Sequence, residues 1–168
     1  SMRRPNAKPS RTSKKKPAAA EAAKKPRRRE PPAQYCLDEQ VGFLMRQANQ
    51  RHTMIFAERM IEDLTPTQWA ALAKLNERGP LSQNLLGRHT AMDAATIKGV
   101  VDRLTARGFT VGKSDPTDAR RLRIALTDEG RAVVRRAAAV ALTISEETLS
   151  PLTVSERKSL MRLLDKIK

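Results

Sequence analysis

The chain has 168 residues, with 33 Lys/Arg against 18 Asp/Glu for a formal net charge of +15, and it contains one cysteine. This length argues for one domain, a single thiol excludes an internal disulfide framework, and no run of 18 apolar residues exists to span a membrane as a helix. So large a positive charge favours polyanionic partners, with plain solubility as the alternative reading.

The excess is unevenly distributed. Residues 1–33 carry twelve Lys/Arg and two acidic residues, a net +10. This segment is mostly Lys, Arg, Ala, Pro and Ser and has no aromatic residue. It lacks the apolar surface to offset ordering entropy, so a disordered basic tail is expected over 1–33. Lys14, Lys15 and Lys16, and Arg27, Arg28 and Arg29, can touch phosphates without folding. A transit peptide is the rival reading, but the repeated Lys-Pro steps break the amphipathic helix such a peptide needs. The start of the chain lacks the apolar stretch of a secretory signal, so a cytoplasmic, nucleoid-associated protein is expected.

From Leu37 to Glu62 the pattern predicts one long helix. Leu44, Ala48, His52, Phe56 and Met60 recur every four residues and stack on one ridge. Val41 and Ile55 widen it. Such a helix is long for a small domain and usually packs along a partner. Thr65-Pro66-Thr67-Gln68 then reads as a capping box with proline at the first helical position. That helix carries Trp69, Leu72 and Leu75 inward and stops at Gly79-Pro80.

The central stretch runs from Leu81 to Thr127. Ser82 caps a short helix with Leu85 and Leu86 facing inward, His89 to Met92 form a turn, and Asp93 caps a second helix that stops at Gly108. In this second helix Ile97, Val100, Val101 and Leu104 share one face. The opposite surface offers Ala94, Ala95, Thr96, Lys98, Gly99 and Arg103. Small residues beside cations let a helix backbone approach DNA closely, as a major-groove reader must; an ordinary solvated face has the same composition. Two alternating segments, Phe109 to Lys113 and Leu122 to Leu126, flank a polar loop from Ser114 to Arg121 and read as a hairpin. Arg120 and Arg121 at its tip are suited to the negative potential of a minor groove, with Asp118 able to orient one of them. Lys113 and Ser82 complete the expected DNA-facing set. Between Arg88 and Arg136 there are eleven Lys/Arg and six acidic residues, so the excess charge beyond the tail coincides with this motif.

Thr127 caps a further helix with Asp128 and Glu129 in its first turn, and Pro151 to Glu156 lead into a last one bearing Leu160, Leu163, Leu164 and Ile167. The expected architecture is mainly α (α+β): a winged helix-turn-helix over 64–127, with dimerisation helices at 34–63 and 128–168. The chain shows no Gly-rich phosphate loop, nucleophile elbow, paired-carboxylate motif or metal-ligand spacing, and it has only two histidines. A non-enzyme without cofactor or metal is expected.

These residues resemble the MarR family of bacterial transcription regulators, over roughly Leu37 to the C-terminus. The resemblance is carried by Leu64 to Trp69, by Thr96 and Val100 to Leu104 with Arg107-Gly108, and by Asp115, Asp118, Arg120 and Arg121 followed by Leu126-Thr127 and Gly130. It implies a homodimer that places two winged helices on a palindromic operator, usually as a repressor released by a small ligand or by oxidation. By position it implies that the helix from Asp93 is the recognition helix, with Arg120 the wing arginine and Asp118 its orienting partner. Ala119 stands where many members have another Arg. Peroxide-sensing members carry a reactive Cys at a position matched here by Gly42, and Cys36 lies before it; Cys36 is read as chemically incidental. An effector that is a small aromatic acid follows from the resemblance. His52, Phe56 and Arg59 share one helix face and Trp69 starts the next helix, a set that suits a planar carboxylate. The competing reading makes His52 a core or interface residue and Arg59 a solvated one. An architectural, weakly sequence-specific DNA binder is the alternative function.

Overall fold

The computed structural model describes residues 35–168, so the expected basic tail lies outside the described residues. A short 3-10 turn, Leu37–Glu39, leads into α1 (Val41–Arg59). Next come α2 (Pro66–Arg78), α3 (Gln83–His89) and α4 (Ala94–Ala106), then the hairpin β1 (Thr110–Ser114) and β2 (Leu122–Leu126), then α5 (Asp128–Thr148) and α6 (Val154–Ile167).

The single helix expected over Leu37 to Glu62 is shorter at both ends. Gln40 is extended (φ −83°, ψ 129°), and its side-chain amide donates to the Cys36 carbonyl at 2.9 Å instead of capping α1. At the other end Met60 leaves the helix, and Glu62 and Asp63 adopt left-handed backbone (φ 57° and 46°). Left-handed backbone costs an L-residue roughly 1–2 kcal/mol. Here it turns the chain back so that Leu64 is buried and Thr65 reaches the N-cap of α2.

The caps read from sequence position the other helices. Thr65 and Gln68 form the capping box of α2, and Ser82, Asp93 and Thr127 accept from the first turns of α3, α4 and α5. Gly79 (φ 77°) and Gly108 (φ 76°) take the left-handed stops. The hairpin pairs antiparallel in the register Thr110 with Leu126 and Ser114 with Leu122, one residue later at its start than the alternation suggested. Leu81 adds a third edge that the sequence reading did not contain. It exchanges both backbone hydrogen bonds with Ile124, at 3.1 and 2.7 Å, and so anchors the hairpin to the residues just before α3.

The main core joins Leu72, Leu75, Leu86, Ile97, Val100, Leu104, Phe109, Ile124 and Val133. Each such side chain stabilises by about 1.5–3 kcal/mol on burial. Packing therefore fixes which face of α4 points outward. A satellite cluster of Ile55, Phe56 and Ile144, backed by Met60, Trp69 and Val140, holds α1 against α5. Only the C-terminal half of the predicted α1 ridge is used in this way; Leu44 and Ala48 are exposed. No residue of α6 is buried.

Candidate nucleic-acid interface

The buried face of α4 leaves Ala94, Ala95, Thr96, Lys98 and Arg103 exposed, with Gly99 half-buried between them. What covers Gly99 is its own helix: the Arg103 guanidinium lies back over it, 3.5 Å from where a Cβ would stand. Asp93 Oδ1 accepts the Thr96 backbone N–H at 2.7 Å. That bond holds the Asp93 carboxyl below the usual range. Lys98 is tied to Asp102 at 2.6 Å, one turn along, whereas Arg103 has no ion-pair partner among the described residues. Of the two exposed cations on α4, Arg103 is the one without a local acid to neutralise it. The Ser82 hydroxyl accepts from Leu85 N–H at 3.3 Å, so it is a cap as well as an exposed group at the start of α3.

Beyond α4 the wing is ordered by its own carboxylates. Asp115 accepts the backbone N–H (2.8 Å) and hydroxyl (2.6 Å) of Thr117 and the Arg123 guanidinium. The Thr117 bonds first, then Arg123, hold its carboxyl far below the ordinary range. Asp115 N–H donates to the Arg121 carbonyl at 2.8 Å, and Arg121 N–H donates to the Asp118 carbonyl at 2.9 Å. Asp118 differs from the expectation in one respect. Its carboxylate pairs with the side chain of Arg121 (3.2 Å) and takes only the backbone N–H of Arg120 (3.1 Å). Spacing is the cause: the Asx-type turn that Asp118 makes two residues on uses the Arg120 amide, and only the next side chain reaches back to the second oxygen. The Arg120 guanidinium is thus left with no partner among the described residues. Lys113 is exposed on β1. Ser82, α4, Lys113 and the wing thus present cations and small residues outward. Asp115 and Arg123 close the base of the wing as an ion pair; Asp115 was singled out from sequence only as part of the family motif, and Arg123 was not singled out. Their signal was a carboxylate and a guanidinium eight residues apart across a turn.

The four residues expected to bind an effector lie on the α1–α5 side. Phe56 is buried, its ring centroid is 6.1 Å from that of His52, and Trp69 packs on the same satellite cluster. Both polar members have protein partners. Arg59 forms a fork on Glu147 (Nε to Oε2 3.1 Å, Nη2 to Oε1 3.3 Å), which raises its pKa. His52 Nδ1 is 2.9 Å from the Thr148 hydroxyl. That hydroxyl donates to the Ile144 carbonyl at 2.8 Å, so it accepts from His52 and the proton sits on Nδ1. Beside these, Arg51 donates to the Glu147 and Thr148 carbonyls (3.1 and 3.3 Å) at the end of α5. An open cavity of about 370 Å³ lies next to this cluster, lined by Thr53, Phe56, Met60, Asp63, Leu64 and Thr65 among others. Of the four predicted residues, Phe56 alone lines it. Cys36 precedes the 3-10 turn and not the first turn of α1.

The helices α2 to α4 followed by the two-stranded hairpin define a winged helix-turn-helix protein. A family model described as MarR family matches residues 62–121. The chain is 40% identical over 134 residues to the HTH-type transcriptional repressor NicR of Pseudomonas putida, an alignment covering 79% of this chain and 85% of that protein. A crystal structure of a probable transcriptional regulator from Pseudomonas aeruginosa is similar with TM-score 0.77 and 50% identity, covering 79% of this chain and all of that one. Bordetella bronchiseptica BpsR, whose structure concerns regulation of its DNA binding by 6-hydroxynicotinic acid, is similar with TM-score 0.76 and 37% identity, covering 80% and 96% of the two chains. The chain belongs to the MarR family.

Proposed function

We propose that this chain is a homodimeric transcriptional repressor that binds a palindromic operator and is released by a small aromatic carboxylic acid. The observation that carries the DNA reading is that Arg103 on α4 and Arg120 in the wing are both exposed and stand without acidic partners among the described residues. The α4 helix enters a major groove with Ala95, Thr96 and Gly99 permitting close approach, while Arg120 reaches the flanking minor groove. Lys113 and Ser82 meet phosphates. A cytoplasmic, nucleoid-bound location goes with this role.

Unfinished apolar surface supports the dimer. Of the nineteen residues of α1 only Ile55 and Phe56 are buried, and α6 buries none while exposing Met161, Leu163, Leu164 and Ile167. Between them lies an apolar cleft of about 400 Å³ lined by Val41, Leu44, Met45, Ala48, Leu160 and Leu164. Contiguous exposed apolar surface of this kind is costly to leave in water. A second copy related by a twofold axis covers it and brings two α4 helices to one side of a duplex.

For the effector, support comes from BpsR, at 37% identity, and from the residues beside the cavity. A ligand carboxylate competes with Glu147 for the Arg59 fork, and Phe56 and Trp69 supply flat apolar surface. Gel-shift titration against the promoter of the chain's own gene tests the whole reading. It predicts two half-sites about one helical turn apart and release on adding 6-hydroxynicotinic acid. A preference for the operator over random duplex below about tenfold favours an architectural binder instead, because specific regulators usually reach 10³ or more.

A further inference from the structure

Glu62 and Asp63 are consecutive non-glycine residues in left-handed backbone, and they form the connection between α1 and α2. Backbone of this kind persists only where the surroundings over-determine it. Two arginines do so here. Arg107 donates from Nη2 to the Glu62 carbonyl at 2.6 Å, and Arg136 donates from Nη2 to the Glu62 carboxylate at 2.7 Å. Arg107 is the C-cap of α4, and its guanidinium carbon lies 4.6 Å from the centroid of the Phe109 ring at the entry to the hairpin. Arg136 belongs to α5. One residue of the α1–α2 connection is therefore gripped by the end of the DNA-facing helix and by α5 together. The residues that follow it, Asp63, Leu64 and Thr65, line the 370 Å³ cavity together with Phe56 and Met60.

We infer that Glu62 is a positioning residue that couples this cavity to the placement of α4. The inference rests on the DNA-binding reading above and adds the route by which the cavity reaches the DNA face. A group that fills the cavity presses on Asp63 and Leu64. A left-handed pair does not yield by small degrees, because the neighbouring backbone conformations are sterically forbidden. It leaves the region altogether, and the Glu62 carbonyl then moves off Arg107 and releases the end of α4. Exposed ion pairs contribute little to stability, so these contacts set position more than they hold the fold together. Coupling is reciprocal, so DNA that fixes α4 must in turn stiffen the connection.

The test is amide hydrogen exchange on the full chain, with and without a duplex covering the promoter of its own gene, with gel shifts run in parallel. In the wild type, peptides spanning residues 60–68 are expected to exchange roughly fivefold more slowly with DNA bound. Arg107→Met keeps an apolar stem over Phe109 and removes the donor; it is expected to bind DNA more weakly than the wild type and, at saturating DNA, to lose that protection. Glu62→Gln keeps the carbonyl and an acceptor for Arg136, and is expected to behave as the wild type. Arg136→Met removes the second grip alone and is expected to lose part of the effect, which keeps the test open should Arg107→Met fold poorly. Bound DNA with unchanged exchange at 60–68 in the wild type, or full protection in Arg107→Met, overturns the coupling while leaving the DNA reading intact. Failure of the wild type to shift any duplex sinks the DNA reading and the coupling with it.

Discussion

Replacing Gly99 by alanine separates folding from DNA binding. Gly99 sits in the interior of α4, and a Cβ built there meets only the Arg103 guanidinium, with nitrogens at 3.5 and 3.6 Å. That is ordinary contact with the movable end of a long side chain. Alanine is favoured over glycine in a helix interior by about 0.8–1 kcal/mol, so Gly99→Ala should stabilise the protein by about that much. In a chain of this size the melting temperature should rise by roughly 2–4 °C. The same methyl group stands on the surface that carries Ala95, Thr96 and Lys98, and it adds bulk where α4 is proposed to lie close to the groove floor. Operator affinity should then fall about tenfold, equivalent to about 1.4 kcal/mol. Calorimetric melting and gel shifts at one fixed salt concentration measure both effects. A lower melting temperature refutes the packing argument, and unchanged operator affinity in a stabilised variant refutes the assignment of this face to DNA.

Gly130→Ala should act in the opposite sense. Its Cβ falls 2.0 Å from the Phe109 carbonyl oxygen, so the hairpin and α5 must separate, at a cost of about 3 kcal/mol by the usual range for overpacking; calorimetry should show the melting temperature lower by roughly 6–12 °C. Arg120→Ala should weaken operator binding by roughly 1–3 kcal/mol with the fold intact, as read by gel shift against circular dichroism of the same sample. Acid unfolding should report four carboxylates: Asp93 and Glu156 are held below the usual range chiefly by backbone N–H donors, Asp115 by Thr117, and Asp128 by Arg131. Their folded-state pKa values are depressed, so their stabilisation is present above about pH 4–4.5, the ordinary carboxyl range, and is lost as pH falls through the lowered values. Asp93→Asn keeps a capping acceptor and should flatten the acid limb of stability against pH; an acid limb as steep as that of the wild type would count against the Asp93 contribution.

Local chemistry made much of the fold legible. A capping box at Thr65 and Gln68, short polar caps at Ser82, Asp93 and Thr127, and glycines at 79 and 108 mark helix ends by mechanisms that need no tertiary context, and each sits where the sequence placed it. The four apolar residues of α4 were legible by their period and are all buried. What was not legible depends on residues far apart in the chain. The Leu81 edge needs Ile124 as its partner, and a single residue has no alternation to detect. Gly130 was recognised as part of a pattern, but the reason for it is the Phe109 carbonyl twenty-one positions earlier. The left-handed turn at Glu62 has no glycine or asparagine to announce it, and Arg107 and Arg136 hold it from other helices.

The candidate sites divide in the same way. The exposed face of α4 and the wing cations followed from amphipathicity and turn chemistry. Orientation within the wing did not, because Asp118 chooses between two adjacent arginines by backbone geometry and takes the side chain of Arg121. Helical spacing did place His52, Phe56 and Arg59 on one side of α1. It could not foresee that Thr148 and Glu147, at the far end of α5, would engage the two polar members.

In the proposed dimer two copies of α4, held by the apolar faces of α1 and α6, read one duplex together. Sedimentation of the complex with a duplex bearing two half-sites tests it most directly. Two chains per duplex are predicted, with affinity collapsing when one half-site is scrambled; one chain per duplex, or equal affinity for a single half-site, would contradict it.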